Sequence, residues 1–353
     1  MLQQPNRLGG GFVPEQKEYV YIPGVGFPPA PKVAPQIIAL KRTAILLGTS
    51  LLFYLIISML LPVVLYGLAQ RFMYRLMVGG VVSSGISLEF VSELISTVCY
   101  LVQFLVPFCV YCAVMHMPSA VAFPSRIPDS SIALPAVPIA LGVSVIAGTS
   151  VGVVQQVFQQ FGVVPVAPDY APPGNMAAFV LYAVQLAVFA PLVEEFVFRG
   201  AIMQSLRQFG DTFALVISSL IFAMLHMNMV QFPYAFLMGL TIGYFVLRTS
   251  SIWTGIFIHM ANNGISLVFT IVDPVLDDST YILLYYILNA ILLLAALLCA
   301  VFMLRSHRNM FTMSKQGSVI QEKIKYRVFL LCVPMLAVIV LCGYYILQNF
   351  QKV

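Results

Sequence analysis

From Lys41 to the end, the chain alternates long apolar runs with short polar joints. A helix needs about 20 residues to cross ~30 Å of hydrocarbon. Nine runs fit that length: roughly 44–69, 91–114, 132–158, 177–206, 212–228, 232–247, 252–272, 280–304 and 328–348. The fifth and sixth are the shortest and are joined by the tight turn MNMVQFP, residues 227–233. Residues 1–40 break the pattern, because YIPGVGFPPAPKVAPQ is rich in proline and glycine and has no helical period. This segment reads as an extended tail outside the bilayer. The predicted fold is all-α, a polytopic transmembrane helix bundle of about nine spans. Four regions follow: the tail 1–40, N-terminal membrane helices 41–170, a core 175–272 holding spans four to seven, and C-terminal membrane helices 273–353.

Composition sharpens this. Hydrophobic residues make up 60% of the chain, charged residues 9%, and the mean hydropathy is +0.95. Soluble domains are about a quarter charged, so the chain belongs in the bilayer, which is its first partner. The net charge of +5 is spread over loops and implies no nucleic-acid partner. The N-terminus is polar and the first long apolar run begins after Arg42, so no cleavable signal is predicted. All six cysteines, Cys109 and Cys112 included, lie in apolar runs and read as buried thiols rather than a disulfide framework. Most lysines and arginines, among them Lys41, Arg42, Arg126, Arg207, Arg248 and Arg305, fall on one side of the nine-span arrangement. Asp169, Asp273, Asp277 and Asp278 fall on the other. The positive-inside rule then places the N-terminus in the cytoplasm, and the expected location is a bacterial cell membrane, multi-pass.

Against this background PLVEEFVFRG, residues 191–200, stands out. Each charge at the centre of a spanning helix costs about 2.5–3.5 kcal/mol on the insertion scale. Glu195 and Arg199 are spaced i, i+4 and share a face. A buried pair that only joins helices would account for them, but it leaves Glu194 unexplained. Two further polar intrusions are FAMLH, ending at His226, and HMANN, with His259 and Asn263 again i, i+4. At ~1.5 Å per residue, Glu194, His226 and His259 lie roughly 20, 22 and 16 Å from the basic ends of their spans. Three polar groups on three helices therefore fall at one depth.

A carboxylate, two imidazoles and an amide in a low-dielectric pocket suit hydrolysis of an amide. The glutamate acts as base toward water and a histidine orients that water, while an Asn and a second His donate to the oxyanion. No serine or cysteine stands in a nucleophile context.

EEFVFR, FAMLH and HMANN read as EExxxR, FxxxH and HxxxN, in that order on successive spans. Together they resemble the CAAX-protease and bacteriocin-processing (CPBP, or Abi) family, the type 2 CAAX prenyl proteases, over residues 175–272. The resemblance implies an intramembrane glutamic endopeptidase in which Glu194 activates water and His226 shares it. His259 and Asn263 form the oxyanion hole, and Glu195 and Arg199 support the site. The implied partner is a membrane-associated peptide or protein, lipidated in prenyl-processing members. Two other classes stay open: a silent membrane scaffold or bacteriocin-immunity protein, and a proton-coupled transporter. No cofactor is expected. Zinc is the alternative, since one Glu and two His make a catalytic ligand set, although the HExxH spacing is absent.

Overall fold

The computed structural model describes residues 34–78, 87–166, 171–307, 310, 312 and 320–352. The tail expected over residues 1–40 lies outside them up to residue 33, and the chain is already helical at Ala34.

Helix α1 runs from Ala34 to Val78. At ~1.5 Å per residue its 45 residues span roughly 68 Å, more than a bilayer requires. Helix α2 (Leu88–Val114), the single turn α3 (Ser119–Ala122) and α4 (Ser130–Gln159) follow. Asp129 starts α4 by accepting the Ser131 N–H at 2.9 Å. Strand β1 (Val163–Pro165) then leads to a long composite helix, Met176–Phe209. Asn175 caps its first helix, α5 (Met176–Val184), through the Ala177 and Ala178 N–H groups. The composite helix includes, near its end, the short α7 (Met203–Leu206), and Gly210, at φ +125°, turns the chain into α8 (Asp211–Met224), a backbone geometry that favours glycine. Helices α9 (Gln231–Thr249), α10 (Ile252–Val272) and α11 (Asp278–Ser306) come next. Asp277 caps α11, and the Ser279 and Thr280 hydroxyls hold its carboxyl well below the usual carboxylate range. Helices α12 (Glu322–Leu330) and α13 (Val333–Gln348) end in β2 (Phe350–Lys352).

Six of these helices are long and apolar enough to cross a membrane, or seven if α12 and α13, bent by 72°, count as one span. The nine-span expectation is revised accordingly. α8 has 14 residues, and α9 is diluted by Gln231, Pro233, Tyr234 and two glycines. The ninth run breaks near Pro334, whose missing N–H suits the first turn of a new helix. The protein remains an all-α, multi-pass membrane bundle.

The turns gather at two ends. At one, β1 pairs with β2 antiparallel, Val163 opposite Lys352, and Asn349 Nδ2 donates to the Met227 carbonyl at 2.9 Å. At the other, the Ile252 N–H donates to the Pro124 carbonyl at 2.9 Å and Ser131 Oγ meets His307 Nε2 at 3.2 Å. Between them α8 is the innermost helix, with Phe213, Ala214, Ile217 and Phe222 buried. The GxxxG of α9 packs on α8: a Cβ at Gly239 would sit 3.0 Å from Ser219 Cβ, and one at Gly243 2.6 Å from Leu215 Cδ1. On the outside, Leu283, Leu294 and Leu297 of α11 are exposed, as a lipid-facing helix requires.

Candidate active site

The composite helix is irregular where it carries the glutamates. α6 (Ala190–Glu195) is flanked by two π turns, Gln185–Phe189 and Phe196–Ile202. Pro191 explains what the first one does. The Ala190 N–H reaches back five residues to the Gln185 carbonyl, and Pro191 has no N–H to offer the Leu186 carbonyl. A buried carbonyl needs a partner, and Asn263 Nδ2 on α10 supplies it at 2.9 Å. One proline thus ties the HxxxN helix to the turn before the glutamate pair.

Glu194 and Glu195 diverge in environment. Glu195 is fully buried, and its Oε1 accepts from Arg199 Nη1 at 2.7 Å and pairs with His259 Nδ1 at 2.9 Å. Arg199, 1% exposed, also donates to the Gly239 carbonyl at 3.3 Å and lies over the Phe222 ring, 4.8 Å from its centroid. The i, i+4 pair expected from spacing is present and has two further supports. Glu194 keeps some exposure, accepts a hydrogen bond from the Tyr100 hydroxyl of α2, and has Oε2 3.6 Å from His259 Nε2. His259 therefore lies between both carboxylates. With Nδ1 held by Glu195, its ring orientation is fixed and Nε2 faces Glu194.

His226 does not lie on α8 proper. The helix ends at Met224, and Met227 adopts a left-handed φ of +53° to start the turn. His226 Nδ1 engages the Phe222 carbonyl at 2.8 Å and its ring meets the Phe222 ring at 4.9 Å. Phe222 also packs edge-on against His259, with centroids 5.9 Å apart. The FxxxH phenylalanine is therefore a shared wall for both imidazoles and for Arg199. His226 is in electrostatic reach of Glu194, His259 and Arg199.

The structure thus brings Glu194, Glu195, Arg199, His226 and His259 together, with Asn263 fixed on the adjoining π turn. Tyr100 carries no motif signal; it is 94 residues from Glu194 in sequence and reaches it only through the packing of α2. Gly255 was equally unmarked, and a Cβ there would lie 2.6 Å from Glu195 Oε2. Among the described residues, no group of three or more His, Cys, Asp or Glu is arranged to hold a metal ion. Both imidazole Nδ1 atoms are already engaged, on Glu195 and on the Phe222 carbonyl.

Residues 176–265 match the family described as type II CAAX prenyl endopeptidase Rce1-like. The matched segment carries the EExxxR, FxxxH and HxxxN motifs and is similar to that family. Every side chain of the cluster except Tyr100 falls within the matched segment. The chain is also similar to the membrane-embedded CAAX protease MroQ of Staphylococcus aureus, 32% identical over 96 residues. That match takes in 25% of this chain and spans 39% of the relative's own length. No solved structure matches the chain.

Proposed function

We propose that this protein is an intramembrane endopeptidase that hydrolyses a peptide bond with water activated by Glu194. The observation that carries the reading is the placement of His259 between the two carboxylates, 2.9 Å from Glu195 and 3.6 Å from Glu194. It gives adjacent glutamates different work. Glu195, buried and paired with Arg199, orients His259. Glu194, partly exposed and not bonded to Arg199, takes the proton from water. The hydroxide adds to the substrate carbonyl carbon, the C–N bond breaks, and the proton held by Glu194 passes to the leaving amine. His226, anchored through Nδ1, keeps Nε2 for the same water. Asn263 spends one amide N–H on Leu186 and has a second for the oxyanion; His259 Nε2 donates beside it when the ring carries both protons.

The CAAX-protease relative favours a substrate held at the membrane, a prenylated C-terminal peptide or an unlipidated precursor. Its bacterial source and the basic end of the bundle support a bacterial cell membrane with the N-terminus in the cytoplasm. The test is purified protein in detergent, offered farnesylated and unmodified peptide libraries, with Glu194→Gln in parallel. Cleavage by the native chain and none by the variant is expected. Equal cleavage by both would overturn the reading. No cleavage by either, with proton flux in liposomes, would replace it with transport.

A further inference from the structure

Hydrolysis inside a bilayer consumes one water per turnover, so water needs a place to stand near the site. A second polar cluster lies one to two turns along α10 from His259. Ser144 on α4, Tyr234 on α9, and Asn262 and Ser266 on α10 converge with Asn289 on α11 around a cavity of about 170 Å³. Ser144 Oγ and Tyr234 Oη each lie within hydrogen-bond distance of Asn262 Oδ1, at 2.7 and 2.8 Å, and 2.7 Å from one another. The three oxygens carry six lone pairs and the two hydroxyls supply only two protons, so acceptor positions stay open to a further donor.

The lining decides the ligand. It includes no charged side chain, so an ion has no counter-charge. The volume is below the ~300–1,000 Å³ of sites that enclose a drug-sized ligand. Leu141, Val145, Ile265 and Leu292 share the lining with these polar groups, and a cavity with several polar partners and room for a water can hold it where a purely apolar one stays dry. The cavity also adjoins the site. Asn262, in its wall, directs Nδ2 at Asn263 Oδ1, 3.5 Å away, and Asn263 closes on the π turn before Glu194.

We propose that the Ser144–Tyr234–Asn262 cavity is a water-binding site that supplies the hydrolytic water, an inference that rests on the peptidase reading above. Two glycines of α4 make the test clean. Gly148 lines the cavity and an added Cβ there meets nothing within 4 Å. Gly152, one turn further along the same helix, is equally open and exposed but does not line the cavity.

The full chain in nanodiscs is treated with a charged methanethiosulfonate, which reacts with thiolates in water, and labels are counted by intact mass against the parent. Gly148→Cys is expected to label about tenfold faster than Gly152→Cys. Equal rates, or no added label on Gly148→Cys, overturn the proposal. Gly148→Leu, which fills the cavity, is expected to lower kcat about tenfold with KM within about twofold, while Gly152→Leu leaves both unchanged. Unaltered kcat in Gly148→Leu overturns the supply role. The labelling does not depend on peptidase activity, so selective labelling of a chain that cleaves nothing would fault the peptidase reading and not the hydration.

Discussion

Glu195→Gln tests the division of labour between the glutamates most directly. Glu195 is fully buried, and one oxygen serves both Arg199 at 2.7 Å and His259 at 2.9 Å. Neutralising it strands a guanidinium that is 1% exposed. Breaking a buried pair from one side costs about 3–5 kcal/mol. Here the glutamine oxygen still accepts, and the Gly239 carbonyl and Phe222 face still hold Arg199. These offset about 1–2 kcal/mol, leaving a loss of about 2–3 kcal/mol. At roughly 2–4 °C per kcal/mol, the apparent Tm should fall by about 4–12 °C. Glu194→Gln should behave oppositely. It is partly exposed and its amide still accepts from Tyr100, so Tm should move by less than about 1–2 °C while turnover drops about 10²- to 10⁴-fold. Thermal unfolding in detergent, followed by intrinsic fluorescence, and single-turnover cleavage read the two effects separately. Adding Arg199→Met to Glu195→Gln should recover at least half of the lost Tm, since removing both charges together is often close to neutral. An unchanged Tm in Glu195→Gln, or near-normal turnover in Glu194→Gln, would refute the assigned roles.

Asn263→Ala should lower kcat about 10²- to 10³-fold with KM little changed; a change confined to KM would make Asn263 a substrate contact instead. Gly255→Ala puts a Cβ 2.6 Å from Glu195 Oε2 and 2.7 Å from Val246 Cγ2, so α10 must shift. A stability loss of about 1–3 kcal/mol with reduced turnover is expected, and an unaffected variant would show that the close approach is dispensable. Dialysis against a strong chelator should leave cleavage intact, with elemental analysis of the same sample finding no stoichiometric zinc. Activity lost on chelation and restored by zinc alone would reassign Glu194, His226 and His259 as ligands.

Hydropathy alone located the spanning helices α1, α2, α4, α10 and α11, because lipid imposes a minimum length and tolerates few charges. The Glu195–Arg199 pair was legible from its i, i+4 spacing, and the Glu/His grouping from equal depth on separate helices. Three things were hidden. The π turns around α6 depend on where displaced carbonyls find partners, although Pro191 inside an apolar run was a usable signal. The Tyr100 contact is tertiary and leaves no periodic trace among 17 tyrosines. The bend between α12 and α13 and the early end of α8 reflect local backbone events at Pro334 and Met227, which a hydropathy window averages away. Asn262 is a related case. Helical geometry turns it away from Asn263, and only the structure gives that second face partners, Ser144 and Tyr234.

The shortness of α8 bears on how the chain is made. Fourteen residues rise roughly 21 Å, too little to cross ~30 Å of hydrocarbon alone. Its far end carries the turn with Asn228 and Gln231, which satisfy each other at 2.8 Å, and the Met227 carbonyl, which is met by Asn349. A nascent α8 leaving the insertion machinery would have that polar turn in lipid without Asn349, 122 residues downstream. Insertion should therefore proceed with α8 and α9 entering together as one antiparallel hairpin, held at the Gly239 and Gly243 face, and docking fully only when α13 arrives. The turn that carries His226 would then be assembled last, so a ribosome-bound chain stopped before α13 would carry the glutamates in place and the turn beside them unfinished.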